Sequence, residues 1–131
     1  MDKERLWRCV ELQREIDALR NARRRALDRY AAPPEIGKLR SGSEPVDRIG
    51  AVAALREKYQ RQIDLKLIDL ADNLIEIETA IKPLPSEDRR LIRLRYIEGL
   101  PWERIALELA CGQRQVLRRH GEILQRLAEK D

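Results

Sequence analysis

Residues 100–124 read LPWERIALELACGQRQVLRRHGEIL, and the fold turns on how that stretch divides. Pro101 suits the first turn of a helix, where its missing N–H would be unpaired in any case. From there to Leu109 the apolar residues Ile105, Ala106 and Leu109 share one helical face. Ala110-Cys111-Gly112 forms a three-residue break. A second helix then runs from Gln113 to Lys130, with Val116, His120, Ile123, Leu124 and Leu127 turned inward. Ala106 is small enough to let two helices cross closely. The pattern predicts a helix-turn-helix.

The first turns of that second helix hold the candidate functional residues. Gln113, Arg114, Gln115, Leu117, Arg118 and Arg119 lie off the inward stripe and include no acid. Recognition helices present base-reading side chains at this end, in the major groove. Arginine matches guanine O6 and N7, and glutamine matches adenine N6 and N7. The reading places Arg114, Gln115 and Arg118 on base edges and Gln113 and Arg119 on phosphates of double-stranded DNA.

Upstream, Leu84-Pro85-Ser86-Glu87-Asp88 opens another helix. Ser86 is its expected N-cap, and Glu87 and Asp88 sit where the helix dipole favours carboxylates. Leu91, Leu94, Arg95 and Ile97 follow, and Gly99 ends it. Two longer helices precede this group. Leu6, Cys9, Leu12, Ile16, Leu19, Ala22, Ala26 and Tyr30 recur at three- and four-residue steps until Pro33-Pro34 stops the pattern. Val52, Leu55, Tyr59, Ile63, Leu67, Leu70, Leu74, Ile77 and Ile81 form a second stripe, with Asp47 as the expected N-cap. Its consecutive four-residue steps at Tyr59, Ile63 and Leu67 are a stutter. At 1.5 Å per residue the two helices measure about 40 and 50 Å. Neither buries its stripe alone, so an antiparallel helical hairpin follows. Residues 33–46, rich in Pro, Gly and Ser, read as a flexible loop. The expected organisation is all-α: a hairpin over 1–82, with its loop at about 31–46, and a helix-turn-helix domain over 83–131.

Composition supports this. Aromatics make up 4% of the 131 residues and Phe is absent, too little for a β-sandwich or barrel, while 38% of residues are charged. The net charge of +4 is compatible with nucleic acid without requiring it. Arg23-Arg24-Arg25 is a basic run, but adjacent helical residues point in different directions. Cys9 and Cys111 form no metal motif with the single histidine, His120, and are expected as reduced thiols. His120 reads as a structural residue bonded to a carbonyl or carboxylate. No carboxylate pair, nucleophile–base set or phosphate-cradling glycine loop stands out, so neither enzyme chemistry nor a cofactor or small-molecule ligand is expected. No apolar run approaches the length of a membrane span, and the N-terminus begins charged, so the expected location is the cytoplasm.

Leu84-Pro85, Leu94-Arg95-Tyr96, Glu98-Gly99-Leu100 and Trp102-Glu103-Arg104-Ile105-Ala106 with Leu109 resemble region four of bacterial sigma factors, the promoter-reading domain. The preceding hairpin, Val46-Asp47-Arg48-Ile49-Gly50, Arg114-Gln115-Val116 and His120-Gly121-Glu122 are similar to small phage regulators of the ArpU and RinA type. The resemblance implies a regulator of phage or prophage genes in a bacterial host, with RNA polymerase as a further partner; the hairpin is expected to provide either homodimerisation or a docking surface for the polymerase. The chain departs from the pattern in its turn. Ala110 stands where glycine is usual, Cys111 where an aromatic or aliphatic residue is, and Gly112 where Ser or Thr would cap the next helix. Two alternatives compete: a small-terminase-like DNA-packaging protein, or a helical scaffold binding only protein.

Overall fold

The computed structural model describes residues 1–31 and 45–129, and these are all-helical, without a strand. The elements are α1 (Lys3–Ala31), α2 (Pro45–Ile81), α3 (Ser86–Ile92), a π-helical turn (Arg93–Ile97), α4 (Trp102–Glu108) and α5 (Gln113–Glu129). Among the described residues no helix is long and apolar enough to cross a membrane. Most of the expected loop, residues 32–44, lies outside the described residues, as does the Asp47 side chain. The backbone of α2 already begins at Pro45, which puts Asp47 inside the first turn and not at the cap.

The chain divides into two compact units, Met1–Gln13 with Asp69–Asp131, and Arg14–Ile68. The second is a pair of antiparallel helical segments. Glu15 of α1 meets Lys66 of α2 at 2.9 Å, and Arg23 donates to Gln60 at 2.8 Å. Ile16 and Ile63 are buried, with Leu19, Ala22, Ala26, Val52, Leu55 and Tyr59 half-buried. The stutter has a visible consequence. Two four-residue steps rotate the stripe off its axis, and Leu67 emerges 37% exposed while Lys66 turns toward Glu15. Tyr30, expected on the inward face, is likewise exposed. Arg24 and Arg25 are exposed, whereas Arg23 is half-buried, so the basic run does not form one patch.

The other unit brings the ends of the hairpin together with the three short helices. Its core joins Leu6 and Cys9 of α1 and Ile77 and Ile81 of α2 to Leu84, Leu91, Ile92, Tyr96, Ile105, Val116, Ile123 and Leu127. The expected division between 82 and 83 therefore runs through the middle of one core. Three short helices alone bury too little apolar surface for a stable domain, and the hairpin ends supply the missing face. In this unit too the hairpin helices are antiparallel: Arg5 pairs with Glu76, and the Asn73 amide donates to the Arg5 carbonyl at 3.2 Å.

Local backbone chemistry sets the short helices. Pro85, not Ser86, is the N-cap of α3, since the Arg89 N–H bonds to the Pro85 carbonyl and no side chain caps the helix. Beyond Ile92 the helix widens: the Glu98 N–H reaches five residues back to Arg93 at 2.9 Å. Gly99 then takes a φ of +70°, and the Leu100 N–H bonds to the Leu94 carbonyl. Gln13 of α1 donates to the Ile97 carbonyl at 2.8 Å, satisfying an acceptor the helix end leaves open.

The turn between α4 and α5 is a Schellman motif. The Cys111 N–H bonds to Ala106 O at 3.1 Å and the Ala110 N–H to Leu107 O at 3.2 Å. Ala110 holds the left-handed position, at a φ of +52°. An alanine there costs about 1 kcal/mol, the expense of lacking the usual glycine. Gly112 lies two residues beyond the left-handed Ala110, and its carbonyl accepts the first bond of α5 from Val116 at 3.1 Å. It is an N-cap without a capping side chain. A Cβ at Gly112 would meet nothing within 4 Å. Gly112→Ser is therefore expected to stabilise this unit by about 0.5–1 kcal/mol, through the added cap and a stiffer unfolded chain. The check is a rise in urea midpoint at unchanged slope; a lower midpoint would contradict the assignment.

Candidate nucleic-acid interface

The face of α5 is set by what it buries. Val116, His120, Ile123 and Leu127 are 0–6% exposed and bind the helix to the core. The opposite side is left to solvent. Gln113, Arg114, Gln115 and Arg118 are exposed, and Leu117 is 42% exposed beside them. Arg114 and Arg118, four residues apart, lie one above the other on the same helical face.

Arg119 goes elsewhere. It is the fifth of the candidate residues, and its guanidinium turns back on α3. It sits 2.9 Å from Asp88 and 3.1 Å from Glu87. The Glu87 carboxylate, joined by Asp88, raises its pKa above the ordinary arginine value. Asp88 is 7% exposed, so Arg119 neutralises an acid that has lost most of its water. The expected phosphate contact at Arg119 gives way, in this structure, to a bond that fastens α5 to α3. Sequence alone places Glu87 and Asp88 at a helix start and stops there; their separation of about 31 residues from Arg119 hides the pairing.

The other arginines of this unit sort the same way. Arg93 forms a bidentate pair with Glu78 at 2.7 and 2.8 Å, which holds the Glu78 carboxyl below its usual range. Arg90 and Arg104 both approach Glu108, at 3.7 and 3.5 Å. Arg89 donates to the Leu84 carbonyl. Among the described residues, Arg114 and Arg118 have no such partner, and their positive charge faces outward undiminished.

Behind this face stands an aromatic cluster that sequence reasoning does not assemble. Arg95 lies 4.9 Å from the Trp7 ring centre and 4.4 Å from that of Trp102, and it donates to the Leu100 carbonyl at 2.9 Å. Tyr96 meets Trp7 edge-on at 6.0 Å and stacks on His120 at 5.6 Å. Trp102 meets His120 edge-on at 4.6 Å. Both tryptophans and the only histidine thus converge where α1, the π-helical turn, α4 and α5 meet. The one available signal was the concentration of rare aromatic residues in segments that the core must join.

His120 has the structural role the sequence suggests, with a different partner. Its Nε2 lies 2.5 Å from the Tyr96 hydroxyl, not from a carbonyl or carboxylate. Burial pushes its imidazole down to about 4, helped by the charges of Lys3 and Arg95. Burial pushes the Tyr96 phenol up to about 12. Both are neutral at pH 7. An unfolded histidine takes up its proton near pH 6.5 and the folded one only near 4, so the unfolded chain binds more protons between those values. Stability is expected to fall by about 3 kcal/mol as pH drops from 7 through that window, with no further loss from this group below it. Urea unfolding at pH 7 and pH 4.5 measures the drop, and His120→Gln should flatten its share of it. An unchanged pH dependence in that variant would remove His120 as the cause.

Cys9 is buried and its thiol is pushed up by that burial, while Cys111 is half-buried in the turn; both are free thiols. Among the described residues no group of His, Cys, Asp and Glu is arranged to hold a metal ion.

The family described as "Protein of unknown function (DUF722)" matches residues 35–129, and the chain belongs to that family. Neither a curated protein nor a solved structure matches the chain.

Proposed function

We propose that this member of the family is a DNA-binding regulator of phage or prophage transcription, reading the major groove with the N-terminal half of α5. One observation carries the reading. Three arginines, Arg114, Arg118 and Arg119, stand in the N-terminal half of α5, and among the described residues only Arg119 of these three meets carboxylates; Arg114 and Arg118 stay exposed. A surface helix serving solubility alone intersperses acids among its bases. Here no carboxylate occurs between Glu108 and Glu122. Arg114, Gln115 and Arg118 are assigned to base edges and Gln113 to a phosphate, while Leu117 offers apolar surface of the kind a thymine methyl accepts. The resemblance to sigma region four supports the same face. The phage setting and RNA polymerase as a partner rest on the resemblance alone.

The reading includes a homodimer. Leu65 and Ile68 of α2, 66% and 59% exposed, are apolar surface that a second copy would cover. Selection of bound sites from random duplex DNA, followed by salt titration of the selected site, tests the whole. The logarithm of affinity is expected to fall linearly with that of salt, by about 0.9 per phosphate neutralised, and a palindromic site would report dimer symmetry. A chain that binds no duplex even at low salt returns the scaffold reading. A solution mass of eight or more subunits, with DNA binding intact, returns packaging.

A further inference from the structure

Gly121 lies in the middle of α5, with eight more helical residues running to Glu129. Glycine is among the costliest residues to place inside a helix, and nothing among the described residues accounts for it. It does not cap the helix, since the helix continues. It does not take a left-handed φ; among the described residues only Gly99 and Ala110 do. It does not make room for a neighbour, because a Cβ built there would meet nothing within 4 Å.

Its position is informative. Gly121 is three residues after Arg118 and seven after Arg114, so all three share the exposed face of α5. It is also the last residue of the acid-free span, which Glu122 ends. An α-helix with its side chains is about 10–12 Å across, and the major groove is about 12 Å wide, so a helix lying in it has little clearance. Removing one Cβ from the outward face lets the helix backbone come closer to what it faces.

The geometry points to Gly121 as the contact where the α5 backbone passes against the sugar–phosphate wall of the groove, a positioning residue for the arginines before it. This rests on the duplex-DNA reading above. Arg114 and Arg118 supply charge and reach; Gly121 sets how deeply the helix sits. A methyl group there would lift the helix and lengthen the reach of both arginines.

The test separates the fold from the interface, because the two respond in opposite directions. Gly121→Ala is expected to raise the thermal midpoint by about 4–8 °C, since alanine is the better helix former and meets no obstacle. The same chain should bind a mixed-sequence duplex at least about tenfold more weakly, and Gly121→Leu more weakly still, since small displacements at an interface cost heavily. Arg118→Ala is measured beside them. Weakened binding in a more stable Gly121→Ala chain supports the inference. Parent-like binding in both glycine variants, with Arg118→Ala impaired, overturns it and leaves the DNA reading standing. If the parent and Arg118→Ala bind duplex equally or not at all, the DNA reading fails and this inference with it. A Gly121→Ala chain that keeps parental DNA affinity but changes its solution mass also overturns it, assigning the glycine to a protein contact.

Discussion

A Tyr96→Ala chain is expected to lose about 3–5 kcal/mol of stability in the unit that carries α5, the usual cost of removing a fully buried aromatic ring. Tyr96 is 0% exposed and touches both Trp7 and His120. Truncation would empty the space where α1, the π-helical turn and α5 meet. It would also leave His120 Nε2 without the hydroxyl at 2.5 Å, a further 1–3 kcal/mol or so for an unpaired buried group. Natural domains have only about 5–15 kcal/mol in hand, so much of this unit should be unfolded at physiological temperature. Tyr96→Phe separates the two contributions, since it keeps the ring and removes only the hydroxyl. Far-ultraviolet circular dichroism during urea titration gives the measurement. A Tyr96→Ala chain within about 1 kcal/mol of the parent would mean that the cluster does not hold α5 in place.

The Arg114→Ala/Arg118→Ala double variant should do the opposite, leaving the fold intact and removing binding. Both side chains are exposed and have no ion-pair partner among the described residues, so their loss is expected to change stability by no more than about 0.5 kcal/mol. A base-contacting arginine contributes about 1–3 kcal/mol to affinity, so the pair should cost at least about 2, roughly thirtyfold in Kd. The loss should be larger on a selected site than on a random duplex. An equal loss on every sequence would move both residues to the phosphate class, and no loss at all would end the DNA reading. Arg119→Ala is the internal control. It uncovers Asp88, so its first effect should be on stability, about 1–3 kcal/mol.

The helices were legible because their signals are local. The three- and four-residue recurrence of Leu6, Cys9, Leu12 and Ile16, and of Val116, His120, Ile123 and Leu127, matches the observed burial residue by residue. The left-handed place of Ala110 and the bare cap at Gly112 were suggested by the resemblance to sigma region four, whose pattern has glycine at the first position and Ser or Thr at the second. Local inference failed where two nearby residues compete for one role. Ser86 is a better capping side chain than Pro85, yet the Arg89 N–H closes on the Pro85 carbonyl and the serine makes no cap bond. The π-helical turn at Arg93–Ile97 also left no local trace, because the buried Leu94 and Tyr96 fit an α-helical reading equally well.

The sequence by itself determined an all-helical chain, the position of its turn and the acid-free run on α5, since each depends on neighbours within a few residues along one helix. Only the tertiary structure decided that the hairpin ends complete the core beneath α5, that His120 lies against Tyr96, and that Arg119 is tied to Asp88 while Arg114 and Arg118 remain outward. Those outcomes depend on which charges and apolar faces meet across long stretches of chain. Periodicity fixes which way a side chain points from its own helix, but not what stands opposite when the helices pack.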